Sequence, residues 1–199
     1  MAEFDKLYNT AEELSDFTLP SYDSLPEIEL YMDQLTGYLN KLLCKICRSD
    51  DGTPLTQNRI NNYVKDGRIE RPIQKKYGKD QIAMLYMLCC TKQNLQLPEA
   101  SALLSMLGED GTASLYDKFK DAQEKTVHAC AKELSSTDKT KEALREKALE
   151  LVLRSTAERF IAEAIIETLS VTPSETETAK KEKKDKKDKK DKKDKKSAE

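Results

Sequence analysis

The spacing of apolar residues is the feature that most constrains the fold of this chain. Over long runs, apolar residues recur every three or four positions, which places them on one side of an α-helix. Residues that interrupt helices are few, since Gly and Pro number only six each among 199 residues. The runs predict helices at about 27–47, 56–66, 79–93, 98–107, 113–134 and 138–170. The chain is therefore predicted to be all-α.

Charge is distributed unevenly along the chain. Residues 1–40 carry a net charge of -8, residues 41–82 carry +5 and residues 180–199 carry +6, although the whole chain carries only -2. A local basic stretch bears on the binding of polyanions more than the overall charge does. An anion-binding surface is therefore expected within residues 41–82. The acidic residues 1–24 are expected to form a loosely held arm, with or without a short helix.

The helix predicted at 56–66 carries the most specific pattern. Thr56 is a suitable N-cap, and Ile60 and Val64 form an i, i+4 pair that faces the core, with Tyr63 beside them. The opposite face has no carboxylate and consists of Gln57, Asn58, Arg59, Asn61, Asn62 and Lys65. Asn and Gln pair with adenine edges and Arg pairs with guanine in the major groove, while Lys and Arg contact phosphates. The face is predicted to bind DNA; the alternative is a merely polar, solvated face.

The basic stretch at 68–78 follows this helix directly. It contains Pro72 and is predicted to be an extended connector or a small wing rather than a helix. Its candidate contacts to the DNA backbone or minor groove are Arg68, Arg71, Lys75, Lys76 and Tyr77. A charged loop without a ligand is the alternative. With Thr56 and Tyr63, these residues and the helix face make up the predicted DNA-binding set.

Residues 58–69 resemble the second helix of the mercury-resistance (MerR) regulator family. In that family the run is typically a Leu, an Arg, two aromatics, an acidic residue and then Gly-Leu-Ile. Here Ile60 falls on the Leu, Tyr63 on the second aromatic, Gly67 on the Gly and Ile69 on the Ile. The resemblance implies a winged helix-turn-helix domain that binds DNA.

The resemblance to MerR regulators extends beyond this helix, but with departures. Residues 75–77 resemble the basic-x-Tyr end of the family's wing, and residues 79–107 resemble its next helix pair. Asn61 stands where the family has an Arg that contacts phosphate, and Asn62 replaces an aromatic. The turn at 48–55 is also longer than in the standard motif. No expectation about spacing to a promoter is therefore carried over from the MerR family to this chain.

A closer resemblance is to a family of small bacterial cytosolic proteins described as a domain of unknown function. Its pattern is LPxIELYMDQL, then DGTPLT, then INNYVK, then a Pro followed by KKY. Residues 25–35, 51–56, 60–65 and 72–77 match these parts in order. The match covers about residues 25–107 and implies a MerR-like DNA-binding fold without an established activity.

The helix predicted at 138–170 is apolar on two faces. One stripe consists of Leu144, Ala148, Leu151, Val152, Ala162, Ile165, Ile166 and Leu169. The other consists of Leu149, Leu153, Ala157, Phe160 and Ala164. A helix that is apolar on more than one face is buried on more than one side. Two explanations stay open, a second copy of the chain and a helix packed inside its own bundle.

Beyond Pro173 the chain becomes a Lys-rich KKD repeat that has no apolar residues to pack into a core. Residues 172–199 are therefore predicted to be a disordered tail. An Asp at every third position halves its positive field, which favours a solubilising role over weak contact with DNA, RNA or anionic lipid.

Motifs of enzymes and metal sites are weak in this sequence. It has no Gly-rich phosphate loop, GxSxG, HExxH or kinase motif. The candidate half-sites for zinc are Cys44-x-x-Cys47, Cys89-Cys90 and His128-x-Cys130. A zinc site needs four well-placed ligands, so buried apolar cysteines are the alternative interpretation. We expect no catalytic residue, metal or cofactor.

The compartment is predicted from what the sequence lacks. No stretch of about 18 apolar residues occurs, and the acidic N-terminus does not resemble a secretory signal. Five cysteines are an odd number, which favours reduced thiols in the cytosol. A cytoplasmic protein is expected.

These patterns together predict a transcriptional regulator that binds duplex DNA as a homodimer. Its expected parts are the acidic arm at 1–24, a MerR-like winged-helix domain at 25–111, a helical dimerisation or sensing region at 112–171 and the tail at 172–199. The rival is an adaptor that binds proteins and keeps the fold without binding DNA, its basic patch covered by the acidic residues 1–40. The sequence names no small-molecule inducer.

Overall fold

The chain is mostly helical. The structure, a computed structural model, describes residues 4–47 and 53–170, and in this part it has seven α-helices and two short strands. The helices are α1 (Asp5–Ser15), α2 (Met32–Leu43), α3 (Gln57–Lys65), α4 (Lys79–Thr91), α5 (Leu97–Leu107), α6 (Thr112–Ser135) and α7 (Lys141–Ser170). The strands β1 (Leu30–Tyr31) and β2 (Lys76–Tyr77) pair antiparallel, with Leu30 opposite Tyr77 and Tyr31 opposite Lys76. The prediction of a predominantly helical chain is confirmed.

Helix α4 lies at the centre of the core. Its seven buried residues are Ile82, Ala83, Leu85, Tyr86, Met87, Leu88 and Cys89. A helix that buries residues on every side packs against several neighbours, and α4 packs against α2, α5 and α6. From α2, Leu35, Leu39 and Leu43 enter the same core, and α3 contributes Ile60.

Helix α3 begins and ends where its local sequence predicts. The Thr56 hydroxyl oxygen accepts the Arg59 backbone N–H at 3.3 Å, as expected of an N-cap. Gly67 follows the C-terminus with φ +69°, and the next backbone N–H, from Arg68, donates to the Tyr63 carbonyl oxygen at 2.8 Å. Glycine adopts this left-handed conformation without the penalty that a Cβ imposes.

The side chain of Asn40 in α2 holds the chain that enters α3. Its amide nitrogen donates to the Leu55 carbonyl oxygen at 2.8 Å, and its oxygen accepts the Leu55 N–H at 2.9 Å. Because Leu55 is fully buried, these two bonds satisfy backbone groups that water does not reach. Asn40 therefore ties the residue that precedes the start of α3 to α2.

The predicted start of the helix at 27–47 is wrong. Helix α2 starts only at Met32, because Leu30 and Tyr31 are extended and pair with β2. The Tyr31 N–H donates to the Gln34 side chain at 3.1 Å, which caps the helix there. Ile28, which lies within the predicted helix, is 81% exposed.

Residues 4–24 are not a loosely held arm. Helix α1 and the segment after it pack along α6, and Phe17 and Leu19 are buried. The Phe17 carbonyl oxygen lies 2.7 Å from His128 Nε2, and the Leu19 N–H donates to the Glu124 carboxylate at 2.7 Å. Helix α1 is therefore packed against α6.

The predicted division after residue 111 is not a packing boundary. Leu115 and Tyr116 of α6 are buried in the same core as α4, with the Tyr116 and Tyr86 rings edge to face at 6.2 Å. Helix α7 contributes one buried residue, Ile166, and packs on α5. The predicted tail at 172–199 and residues 48–52 of the predicted loop lie outside the described residues.

Candidate nucleic-acid interface

The polar face of α3 points into solvent. Its exposed residues are Gln57, Asn58, Arg59, Asn61, Asn62 and Lys65. Ile60 and Tyr63 occupy the opposite side and are buried. The structure therefore places six of the predicted site residues together on one exposed face, and none of the six is acidic.

The basic stretch after α3 ends in a tight hairpin turn. The Lys76 N–H donates to the Ile73 carbonyl oxygen at 2.9 Å, and the two residues between them, Gln74 and Lys75, have φ of +50° and +65°. Positive φ at both central positions defines a type I′ turn, whose twist matches that of paired strands. Residues 68–78 are accordingly not helical, as predicted. The turn projects Ile73, which is 71% exposed, and Lys75 into solvent.

Two tyrosines of the predicted set belong to the core instead. Tyr63 is 5% exposed and Tyr77 is 2% exposed, so neither ring is open to a nucleic acid. Burial raises the pKa of Tyr63 to about 12 and also raises the pKa of Tyr77 above its ordinary value. Both tyrosines are neutral phenols that pack in the core beneath the α3 face, and the structure does not place them among its exposed residues.

Three further residues of the set already have partners within the chain. Thr56 caps α3, the Arg59 guanidinium donates to the Pro54 carbonyl oxygen, and the Gln57 amide donates to the carboxylate of Asp33 in α2. Asp33 therefore places a negative charge beside the first turn of α3. It lies on another helix and 24 positions earlier, so the local pattern gave no sign of it.

The remaining basic residues flank the α3 face. Arg68 and Arg71 are exposed in the connector, and Lys76 is half-buried with its ammonium 5.3 Å from the centre of the Tyr31 ring. Tyr31 is 53% exposed and was missed because the sequence pattern assigned it to a helix. It adds an aromatic surface next to the hairpin turn, of a kind on which bases or sugars stack.

The exposed side chains of this surface are able to bind a polyanion. Exposed amides on a helix are able to form paired hydrogen bonds with base edges, and the surrounding Lys and Arg side chains complement phosphates. Among the described residues, no three His, Cys, Asp or Glu side chains form a group that could hold a metal ion. No helix in the described part is long and apolar enough to cross a membrane.

Comparison with known proteins places the chain in a family. The model of a domain of unknown function (DUF1836) matches residues 20–121, and the chain belongs to that family. The matched region spans the two strands, α2 to α5 and the first part of α6. No curated protein and no solved structure matches the chain.

Proposed function

We propose that this protein is a transcriptional regulator that binds duplex DNA with α3 and the hairpin turn at 73–76. The observation that carries the proposal is the α3 face, where six exposed polar or basic residues occur without an acidic one. A solvated helix that only confers solubility usually includes Glu. Here the exposed amides of Asn58, Asn61 and Asn62 have the donors and acceptors that adenine edges match.

The α3 face and the hairpin turn suit two different parts of DNA. Helix α3 is short and carries its polar residues along one side, as does a helix that lies in the major groove. Arg68, Arg71 and Lys75 are exposed next to it and complement the phosphates that flank the groove. The proposed regulator is cytoplasmic and has a MerR-like winged-helix arrangement.

The proposed DNA reader is a homodimer formed through α7. Of the large apolar residues that the described part exposes, seven lie on this helix: Leu149, Val152, Leu153, Phe160, Ile161, Ile165 and Leu169. Exposed apolar residues gathered in one element mark an interaction surface. A symmetric dimer covers the same stripe on both copies and presents two α3 helices to an inverted repeat.

The dimer is tested with Leu153→Glu/Phe160→Glu. Both side chains are exposed, so we expect the double variant to keep the helical content of the wild type but to sediment as a monomer. A wild-type protein that is monomeric at tens of micromolar would contradict the dimer.

DNA binding is tested by selection from a pool of random duplexes, followed by fluorescence anisotropy over a salt series. We expect Lys65→Ala/Lys75→Ala to weaken binding and to lower the slope of log K against log salt by about 2, since each phosphate contact contributes about 0.9. The matched control is Lys125→Ala/Lys132→Ala, which removes two exposed charges from α6.

The selection experiment also separates the α3 face from the Lys-rich tail. Asn61→Ala is expected to weaken binding to the selected sequence by about 1–3 kcal/mol and to leave binding to random duplex unchanged. A chain that ends at Val171 should still bind. Two results would show that α3 does not bind the DNA. One is that Lys125→Ala/Lys132→Ala weakens binding as much as Lys65→Ala/Lys75→Ala does, and the other is that deletion of the tail abolishes binding.

An adaptor that binds another protein through α7 is the second candidate. It is favoured by the same exposed apolar residues, which suit a partner helix as well as a second copy. An apolar interface responds weakly to salt, unlike binding to DNA. Absence of any selected DNA sequence, together with a monomeric chain, would favour this function.

A further inference from the structure

A cavity lies beside the connector that follows α3. It has a volume of about 320 Å³ and is lined by residues 68–70 of the connector, the start of α4, the end of α5 and the start of α6. This volume is at the lower end of the range of about 300–1,000 Å³ that is usual for small-molecule sites. None of the six residues of the α3 face lines the cavity.

Part of the cavity wall is apolar. Ile69, Leu104 and Leu115 line it and are each at most 3% exposed, and Met84 of α4 adds a partly buried side chain. An apolar wall binds the apolar part of a ligand because both surfaces release water on contact. The cavity therefore suits a small molecule with an apolar body.

Charged side chains of both signs line the same cavity. Arg68 contributes a guanidinium, and Glu70 and Asp80 contribute carboxylates. Among the ion pairs that the described residues form, none includes any of these three. Opposite charges that line one cavity without pairing to each other are able to pair with a ligand that itself carries both charges.

Two hydrogen bonds hold the polar part of the wall in place. Gln81 Nε2 donates to the Glu70 carbonyl oxygen at 3.0 Å, which ties the connector to α4. The Tyr22 hydroxyl donates to Asp80 Oδ1 at 2.6 Å, which holds that carboxylate in position. A site whose wall is already held loses less conformational freedom when a ligand binds.

We propose that this cavity binds an apolar α-amino acid in its zwitterionic form. The carboxylate of the amino acid pairs with the Arg68 guanidinium, its ammonium pairs with the Asp80 carboxylate, and its side chain packs on Leu104 and Leu115. A ligand that carries only a carboxylate leaves the acidic side chains of the cavity without a partner. A ligand that carries only an ammonium leaves Arg68 without one.

Arg68 connects the cavity to α3. Its backbone N–H donates to the Tyr63 carbonyl oxygen at the end of α3, and its side chain is one of the proposed contacts to phosphate. An amino acid that pairs with Arg68 competes with phosphate for the guanidinium and should therefore weaken binding to DNA. This consequence rests on the proposed function, whereas the binding of the amino acid does not.

Isothermal titration calorimetry of the full chain with L-leucine and L-phenylalanine tests the site. Analogues separate the two charges: 4-methylpentanoate and 3-phenylpropanoate lack the ammonium, and 3-methylbutylamine and 2-phenylethylamine lack the carboxylate. We expect at least one of the amino acids to bind saturably, with one molecule per chain. Its two analogues should bind at least about tenfold more weakly, since each loses a charge-assisted hydrogen bond.

Variants of the charged side chains test their roles in the same assay. Arg68→Gln and Asp80→Asn should each weaken binding of the amino acid at least about tenfold. An Asn side chain keeps an oxygen that accepts from the Tyr22 hydroxyl, so the second variant removes the charge alone. Arg71→Gln is the matched control and should bind like the wild type, because Arg71 is an exposed arginine of the same connector that does not line the cavity.

Three results would overturn the proposal. They are the absence of saturable binding of both amino acids up to millimolar concentrations, an analogue that binds as tightly as its parent amino acid, and an Arg71→Gln variant that loses as much affinity as Arg68→Gln. Binding to a selected DNA without binding of an amino acid would remove this site and keep the DNA-binding function. Binding of an amino acid without binding to DNA would do the reverse.

Discussion

Replacement of Asn40 tests whether one side chain fixes the entry to α3. Asn40→Ala removes both hydrogen bonds to Leu55. The Leu55 carbonyl oxygen loses the side-chain amide that donates to it, and the Leu55 N–H loses the side-chain oxygen that accepts from it. Leu55 is fully buried, so neither backbone group gains a solvent partner unless water enters the space. The substitution therefore leaves two polar groups without partners, while the apolar core around them is unchanged.

The size of the effect follows from these two groups. A buried donor or acceptor left unpaired costs roughly 1–3 kcal/mol. Asn40 is itself only partly buried, so some water follows the truncated side chain and the lower end of the range applies. We expect Asn40→Ala to lower the free energy of unfolding by about 2 kcal/mol.

Urea unfolding followed by circular dichroism at 222 nm measures this change. Asn58→Ala is the matched control, because it removes the same side chain from an exposed position on α3 and should change stability by less than about 0.5 kcal/mol. If the two variants are equally stable, the reasoning that Asn40 fixes the entry to α3 is refuted.

Two more predictions concern stability. Burial raises the pKa of Glu124, but hydrogen bonds from Leu19 N–H and Lys120 outweigh it and hold that pKa below its ordinary value. Glu124→Gln should therefore lower stability at neutral pH. The difference from wild type should shrink as pH falls below the ordinary Glu pKa of about 4.3, and it should vanish only once pH is below the lowered pKa of the folded state; a difference independent of pH would count against the role of charge. Gly67→Ala places a Cβ at φ +69° and should cost about 1 kcal/mol in the same urea assay, whereas an unchanged midpoint would show that the turn relaxes.

Local signals explain why α3 was predictable from the sequence. Its N-cap, Thr56, and its terminal Gly67 act on the backbone within a few residues, and the i, i+4 pair of Ile60 and Val64 sets its buried face. None of these depends on a distant part of the chain. The exposed face of α3 followed directly from them.

The errors arose where distant contacts decide the structure. Leu30 and Tyr31 have helical spacing with α2, but their backbone groups pair with β2, which lies more than 40 residues later. Phe17 and Leu19 are isolated apolar residues in an acidic segment, and only the position of α6 explains their burial. Periodicity does not reveal pairings of this kind.

Tyrosine was a second source of error in the candidate site. Its ring packs in a core and its hydroxyl also suits a surface, so neither location is favoured by residue type alone. Tyr63 and Tyr77 proved to be core residues, while Tyr31, expected in a helix, is exposed beside the hairpin turn. Their places depend on the pairing of β1 with β2.

The packing of the N-terminal segment on α6 has a consequence for synthesis. The contacts of Leu19 with Glu124 and of Phe17 with His128 join residues 105 and 111 positions apart. Ribosomes add roughly 5–20 residues per second, so the segment emerges roughly 5–20 s before its binding surface exists. During that interval its buried apolar residues have no native partner. The high density of acidic residues around them keeps the nascent segment charged, which opposes aggregation until α6 arrives.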